Sequence, residues 1–191
     1  MIEIPLSKSI SLISPRLTVL INTIDEAGEL NSSPYSWVFP LSSDPPLIGV
    51  GIGGRNKLSF INSERTGEFV VCVVSVNFGQ QAIDCEESHK PGDKLWERYG
   101  LHLTVSRNVS VPRIKEAMAV LECKVTRLLE YDGDHVVLVG EVVTAEAESG
   151  GLDEATTLAS DGCGGRDHPR GRFSREHSAP QIPDRCRALR C

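Results

Sequence analysis

The chain has 191 residues, of which 40% are hydrophobic and 24% are charged, and its formal net charge is −6. This composition is typical of a soluble globular domain with a sizeable core, and the acidic balance argues against a nucleic-acid surface, which needs clustered positive charge. No apolar run approaches the roughly 18 residues that a membrane-spanning helix needs, and no secretory signal is visible, so we expect a cytoplasmic protein without a membrane partner.

The first part of the chain alternates turns with apolar, β-branched segments. A short helix is expected to end before Pro15, because proline disfavours helical geometry in the residue that precedes it. Two apolar runs separated by a turn at residues 25–28 predict a hairpin, and the Asp-Pro-Pro run at residues 44–46 predicts a loop over residues 42–46. In chain order we predict a helix at 6–13, strands at 17–24, 30–40 and 47–52, a helix at 58–64 and a strand at 68–74.

The second part begins with a polar, helical pattern over residues 77–100, which a Pro-Gly pair at residues 91 and 92 interrupts. Residues 101–111 are predicted to be extended, and two longer strands at 119–130 and 135–145 are joined by a turn. Five or six strands, two helical excursions and no β-α-β rhythm predict a mainly β fold, a closed antiparallel barrel.

The six cysteines show neither a CxxC pair nor a metal-ligand spacing, so no metal site is predicted. Cys72 and Cys123 lie within apolar strands and are expected to be small buried hydrophobes, and Cys85 lies on a predicted helix with a structural role. A disulfide framework is not expected in a non-secreted chain of this length.

Residues 160–191 differ in composition from the predicted barrel domain at residues 1–159. They contain seven arginines, no lysine, three cysteines and few aliphatic side chains. Such a segment cannot bury a core, and we predict an irregular tail. A shifted reading frame is one hypothesis for its origin, and a basic docking arm is the functional alternative.

Residues 53–57 (GGRNK) follow a predicted strand and precede a predicted helix, an arrangement that suits a phosphate group. Glycines let backbone N–H groups turn toward an anion, and a helix N-terminus adds free donors. Arg55 and Lys57 supply counter-charge, and the Ser59 hydroxyl can donate a hydrogen bond. The segment is not a GxxxxGK[ST] loop, which disfavours a nucleoside triphosphate. The alternative is a glycine-rich turn with solvated basic residues.

The strand over residues 31–37 combines small polar side chains with aromatic ones. Because side chains alternate along a strand, one face carries Asn31, Ser33, Tyr35 and Trp37, and the other carries Ser32 and Ser36. Pro34 interrupts the hydrogen-bond ladder, which indicates an edge strand or a bulge. Free backbone groups there suit the pyrimidine edge of an isoalloxazine ring, with Trp37 beside it. Alternatively, Tyr35 and Trp37 are core aromatics next to a kink.

His135 follows Asp134 at the start of a late strand. A histidine there can hydrogen-bond a flavin or line the nicotinamide side, and its pKa range suits proton exchange. A structural role is the alternative. The chain contains no GxSxG, HExxH or GxGxxG motif, so hydrolase and Rossmann functions lack support.

Five segments in order resemble the flavin reductase-like, FMN-binding split-barrel family, especially its flavoredoxin and archaeal ferric reductase branch. The segments are SPRLTVLINTIDEAGELNSSPYSWVFPLSSDPPLIGVGI, TGEFVV, PGDKLWERYGL, VPRIKEAMAVLECKV and GDHVVLVGEVV. The resemblance covers residues 6–145 and implies a homodimer of split barrels, with FMN held near the subunit interface. Cys72 departs from the family pattern, which more often has Asn at that position.

The resemblance also implies a set of FMN-contacting residues. The positions that match the flavin-site set are Asn31, Trp37, Ser59, Lys94 and His135, and Arg55 and Lys57 fall in the turn that faces the phosphate. We include the adjacent strand residues in the expected site, which are Ser32, Ser33, Tyr35, Ser36 and Gly51. Of these residues, His135 is the expected catalytic one.

The leading functional hypothesis is an FMN-dependent oxidoreductase that passes electrons from NAD(P)H to free flavin, a ferric chelate or a redox partner protein. One alternative is a flavoredoxin-type electron carrier without direct NAD(P)H activity. Another is a split barrel that binds no flavin. The sequence leaves open the choice between NADH and NADPH.

Overall fold

The structure is a computed structural model that describes residues 2–87 and 90–149, which belong to one compact unit of residues 1–155. The predicted tail at 160–191 lies outside the described residues. No helix in the described part is long and apolar enough to cross a membrane. The strands are β1 (Val19–Ile24), β2 (Leu30–Tyr35), β3 (Val38–Ser43), β4 (Pro46–Ile52), β5 (Glu68–Val73), β6 (Leu103–Thr104), β7 (Arg113–Ile114), β8 (Ala119–Glu130) and β9 (Val136–Ala147).

Five short helical segments accompany these strands in the described part of the chain. The α-helices are α1 (Leu58–Thr66), α2 (Gly79–Asp84) and α3 (Leu95–Arg98), and the 3-10 segments are Leu6–Leu12 and Val76–Phe78. Gly67 ends α1 with a left-handed φ of 70°, a conformation that glycine adopts without strain, and its N–H donates to the carbonyl of Ser63. The helix predicted at 58–64 therefore continues two residues further, to Thr66.

Seven strands form one antiparallel sheet in the order β2-β1-β5-β8-β9-β4-β3, and β6 pairs with β7 separately. The two edge strands, β2 and β3, are consecutive in the chain and only Ser36 and Trp37 separate them. The sheet must therefore curve until its two edges meet. The N–H of Gly51 donates to the carbonyl of Trp37 at 2.8 Å, which extends the β3–β4 pairing into this junction.

Both faces of the sheet are apolar, because alternate residues of the central strands enter different clusters. Val19 and Ile21 of β1 pack in one cluster with Phe60 of α1 and Phe69 of β5. Leu20 of β1 lies in the other cluster, which includes residues of α2, α3 and β7. This two-sided burial explains why the central strands are almost continuously apolar.

Between β2 and β4 the structure differs from the predicted elements. The strand predicted at 30–40 ends at Tyr35 and resumes at Val38, because the chain crosses from one sheet edge to the other in between. The loop predicted at 42–46 shrinks to a tight turn between β3 and β4. The β1–β2 register runs through Pro34 without a shift, so this proline marks an edge strand and not a bulge.

The segment predicted to be extended at 101–111 is mostly irregular. The buried carboxylate of Glu122, on β8, accepts the backbone N–H groups of Arg107 and Asn108 at 2.8 and 2.7 Å. The side chain of Arg113 lies 3.7 Å from the same carboxylate. The Glu122 carboxylate thus anchors this loop in place of strand pairing. Local sequence patterns do not reveal such a contact.

Gly140 provides a test of barrel packing. A Cβ atom at this position of β9 would lie 2.4 and 2.5 Å from ring atoms of Phe69, whose side chain is fully buried. We expect Gly140→Ala to lower the free energy of unfolding by about 1–3 kcal/mol through overpacking. Gly133→Ala is the matched control, since no atom lies within 4 Å of its added Cβ. Circular dichroism during urea unfolding measures the stability of both variants. An equal loss of stability in the two would contradict this packing.

Candidate functional site

A cleft of about 370 Å³ lies between β2, the N-terminus of α1 and the end of α2. Its volume falls within the range of about 300–1,000 Å³ that small-molecule sites occupy. Five predicted site residues line it together, namely Asn31, Ser33, Tyr35, Lys57 and Ser59. The other lining residues are Pro34, Asn56, Leu58, Cys85, Glu86 and Glu87.

Strand alternation places the β2 residues as the sequence predicts. Asn31, Ser33 and Tyr35 face the cleft, whereas the Ser32 hydroxyl donates to the side-chain oxygen of Asn22 at 2.7 Å. Trp37 was expected on the same face as Tyr35, but it does not line the cleft, because β2 ends at Tyr35 and the alternation ends with it.

The N-terminus of α1 opens into the cleft. Lys57 is the N-cap residue, with φ −77° and ψ 137°, and no side chain caps the helix. The first intrahelical donors are the N–H groups of Phe60 and Ile61, which both bond to the carbonyl of Lys57. The N–H groups of Leu58 and Ser59 precede them at the helix end, where donors lack intrahelical acceptors. The positive end of the helix dipole and the Lys57 ammonium together favour an anion here.

A chain of buried hydrogen bonds connects β2 with α1. The side-chain amide of Asn31 donates to Ser59 Oγ at 3.2 Å and to Thr23 Oγ1 at 3.3 Å. Burial raises the pKa of Tyr35, and a hydrogen bond from the Ser59 hydroxyl partly offsets that rise. The Tyr35 phenol therefore stays neutral at physiological pH, and no phenolate charge opposes an anion at this end of the cleft.

Arg55 and Lys57 are two residues apart but occupy different environments. Arg55 Nη2 lies 2.9 Å from a Glu130 carboxylate oxygen and 4.0 Å from one of Glu64. Its guanidinium group also lies 5.6 Å from the centre of the Phe60 ring. Arg55 does not line the cleft, so Lys57 is the one cation among the described lining residues.

Lys94 also lies outside the cleft lining. Its ammonium group is 3.1 Å from a carboxylate oxygen of Glu29, just before β2. Both side chains in this ion pair are more than one-third exposed, so the pair adds little stability. The Lys94 position that the family resemblance singled out is therefore anchored beside the hairpin turn.

Trp37 and His135 form a stacked pair, with ring centroids 4.3 Å apart and an interplanar angle of 19°. His135 Nδ1 lies 2.7 Å from Asp134 Oδ1, and this hydrogen bond, with the imidazole charge, lowers the pKa of Asp134. A Cβ atom at Gly51 would lie 3.0 Å from the Trp37 ring. Gly51 therefore gives the indole room, and neither ring lines the cleft.

Ser36 and Trp37 line a second surface feature, an apolar groove of about 420 Å³. Its walls include Ile10 and Ile13, which are 50% and 67% exposed, and Phe39 on β3. The Arg16 guanidinium donates to the carbonyls of Ile10 and Ile13, so it holds the N-terminal segment together along the groove. The groove borders the Trp37–His135 pair but is separate from the cleft lining.

The three cysteines in the described part are buried, as predicted for Cys72 and Cys123. Burial raises the pKa of Cys72 to about 12, and the N–H of Ile114 donates to its sulfur. Burial also raises the pKa of Cys85 to about 11, although this residue lines the cleft. None of these thiols is an activated nucleophile. In the described residues no group of three or more His, Cys, Asp or Glu could hold a metal.

Several cleft residues were not found from the sequence. Asn56 lies in the same GGRNK turn as Lys57, so the turn itself was a usable signal. Glu86 and Glu87 reach the cleft only because α2 packs across the sheet, and no local pattern indicates that contact. Behind the cleft, Asn22 and Thr23 are two consecutive polar residues in an otherwise apolar strand, and this exception to the pattern could have directed attention to them.

Comparison with known proteins identifies the family. The family model of the flavin reductase like domain matches residues 13–163, and the chain belongs to this family. The uncharacterized protein YwrF of Bacillus subtilis is 32% identical over 151 residues, which cover 78% of this chain and 74% of YwrF. The fold is the split barrel that the sequence resemblance implied.

Two solved structures illustrate the likeness. Nitrilotriacetate monooxygenase component B from Bacillus cereus superposes with a TM-score of 0.70 at 26% identity, covering 77% of this chain and 81% of that one. The NADH:FAD oxidoreductase SgcE6 of Streptomyces globisporus C-1027 gives a TM-score of 0.66 at 23% identity, covering 77% and 87%. The second likeness is one of fold alone.

Proposed function

We propose that this chain binds FMN in the cleft and transfers electrons from NAD(P)H to free flavin, a ferric chelate or a redox partner protein. The proposal rests on one observation. A cationic, uncapped helix N-terminus and a polar edge strand line the same cleft. The first feature suits a phosphate and the second suits the polar edge of a ring. Membership of the flavin reductase like family supports the same assignment.

The residues present fit a flavin mononucleotide. Lys57, the Ser59 hydroxyl and the first N–H groups of α1 would hold the phosphate. Asn31, Ser33 and Tyr35 would lie along the ring and ribityl chain. Bound there, a flavin supplies the capacity to accept a hydride from a nicotinamide and to pass electrons on.

The charge of the cleft favours one phosphate group over two. Lys57 is its one described cation, and the lining also carries the carboxylates of Glu86 and Glu87, of which Glu87 is paired with Arg98 at 3.2 Å. Carboxylates near an additional phosphate would repel it, because like charges at close range oppose each other. This balance supports FMN rather than FAD as the bound cofactor.

His135 is the residue that we propose on the nicotinamide side. The lowered pKa of Asp134 keeps its carboxylate ionised, and an ionised carboxylate only accepts hydrogen bonds. His135 Nδ1 therefore carries the proton in this pair, which leaves Nε2 to face a ligand. Stacking on Trp37 fixes the plane of the imidazole ring. The role of His135 is to position and shape the nicotinamide side, with Trp37 as its support.

The groove beside Trp37 supports the proposed homodimer. Large apolar side chains there and along the N-terminal segment are half or more exposed, notably Leu12 at 70%, Ile13 at 67% and Leu17 at 57%. A contiguous apolar surface of this kind is typical of a protein interface. Burying it against a second copy would place Trp37 and His135 next to the partner subunit.

The first test is an anaerobic visible spectrum of the purified full-length chain with FMN, before and after addition of NADH and then NADPH. We expect loss of the oxidised flavin bands with at least one nicotinamide, because the proposed donor is NAD(P)H. A bound yellow flavin that only dithionite bleaches would instead favour the flavoredoxin-type carrier. A protein that takes up no FMN would overturn the proposal.

Lys57→Ala tests the phosphate assignment. We expect the FMN dissociation constant to rise about tenfold or more, the scale of one charge-assisted hydrogen bond. The dissociation constant of riboflavin, which lacks the phosphate, should change by less than about twofold. Arg55→Ala serves as the comparison in the same turn, with a smaller loss because Glu130 already holds that guanidinium. Fluorescence titration of the wild type and both variants with each ligand gives the six dissociation constants, and equal losses for FMN and riboflavin in Lys57→Ala would refute the assignment.

Ile13→Glu tests the interface. We expect light scattering after size-exclusion chromatography to report a dimer for the wild type and a monomer for the variant, because burying the new carboxylate is unfavourable. Val76→Glu is the matched control, since Val76 is 97% exposed and lies outside the groove. A monomeric wild type, or dissociation in both variants alike, would contradict the proposed interface.

A further inference from the structure

Thr23 is a fully buried polar residue on β1, the strand next to the edge strand β2. It lies on β1 directly opposite Asn31 of β2, and its side chain has no exposed surface. The other residues of β1 are apolar or bond to other elements of the fold. A valine at position 23 would therefore fit the apolar pattern of this strand equally well. A buried hydroxyl is costly unless it is hydrogen-bonded. Its partners therefore indicate what the residue does.

Two side-chain amides converge on the Thr23 hydroxyl oxygen. Asn31 Nδ2 donates to Thr23 Oγ1 at 3.3 Å, and Asn62 Nδ2 donates to it at 3.2 Å. An amide nitrogen is only a donor, so Thr23 Oγ1 is the acceptor in both bonds. Asn31 belongs to the edge strand and Asn62 to α1. One oxygen thus joins the two elements that form the cleft.

The same contacts continue to the cleft surface. Asn31 Nδ2 also donates to Ser59 Oγ at 3.2 Å, and both residues line the cleft. Ser59 and Asn62 are three residues apart on α1, so their side chains share one helix face. Thr23 does not line the cleft itself, and its influence passes through Asn31 and the placement of α1.

We infer that Thr23 is a positioning residue whose hydroxyl oxygen fixes the side-chain amides of Asn31 and Asn62 and so sets the position of Ser59 and the α1 N-terminus. The consequence for FMN rests on the proposed function. The hydrogen-bond network itself does not, and it can be tested without any ligand.

Thr23→Val removes the acceptor while keeping the side-chain shape. We expect the FMN dissociation constant to rise about tenfold, because two buried amide donors lose a shared partner. Thr23→Ser restores the hydroxyl and should recover most of the affinity. Thr66→Val is the matched control, since the Thr66 hydroxyl donates to the carbonyl of Asn62 at the far end of α1. We expect this control to lower the melting temperature and to leave the FMN dissociation constant unchanged.

All affinities are measured below the melting transitions, on protein that circular dichroism shows to be folded. A role limited to stability would then leave the dissociation constant of Thr23→Val unchanged, and that result would overturn the inference. Equal losses in Thr23→Val and Thr23→Ser would also overturn it. If Thr23→Val does not fold, Thr23→Ala takes its place, since it lacks the hydroxyl and adds no bulk.

A ligand-free measurement separates this inference from the proposed function. In ¹⁵N-labelled protein without flavin, the side-chain amides of Asn31 and Asn62 should shift in Thr23→Val and exchange with solvent at least about tenfold faster, as lost hydrogen bonds expose them. Thr66→Val should leave the Asn31 amide unchanged. Unaltered amide signals in Thr23→Val would refute the network role, whereas a wild type that binds no FMN would refute only the proposed function.

Discussion

Closure of the sheet is the constraint on which the rest of this structure depends. The edge strands β2 and β3 are neighbours in sequence but lie at opposite ends of the strand order, so residues 36 and 37 must bridge the junction. The bond from Gly51 N–H to the Trp37 carbonyl holds that bridge against β4. Glycine leaves room there for the indole, since an added Cβ atom would lie 3.0 Å from it. Gly51 is one of the expected flavin-site residues, and in the structure it lies against Trp37.

The same bridge divides the expected ligand-binding residues into two groups. Residues before it, on β2, face the cleft beside α1, and an edge strand leaves polar backbone groups without strand partners on its outer side. Trp37, after Tyr35 and past the end of β2, turns instead toward His135 and the apolar groove. One protomer therefore presents a phosphate-and-ring cleft and a separate aromatic–imidazole surface. The proposed homodimer is the simplest arrangement that would place the second group next to a ligand.

Local sequence patterns predicted most of the fold because the strands have distinct apolar runs and clear stops. The strand at 119–130 was confirmed to the residue, and α1 begins at the predicted residue 58. Alternation along β2 correctly separated Asn31, Ser33 and Tyr35 from Ser32. The break after Tyr35 was missed, since a crossing between sheet edges leaves no local pattern when both halves are extended. The ion pairs of Arg55 and Lys94 join residues that are distant in sequence, so their partners could not be predicted.

The polar interior of the β1–β2 hairpin is explained by a loop on one face and by the cleft on the other. Asn22, Thr23, Asn31 and Ser32 are all buried, and apolar residues of similar shape in their places would be neutral or stabilising if packing were the sole demand. Their bonds fall into two sets. Ser32 donates to Asn22, which donates to the carbonyl of Pro112 at 2.8 Å and anchors the loop before β7. Thr23 and Asn31 bond toward Ser59 and α1. The strand face that turns away from the cleft therefore holds a loop, and the face that turns toward it holds the helix end where an anion would bind.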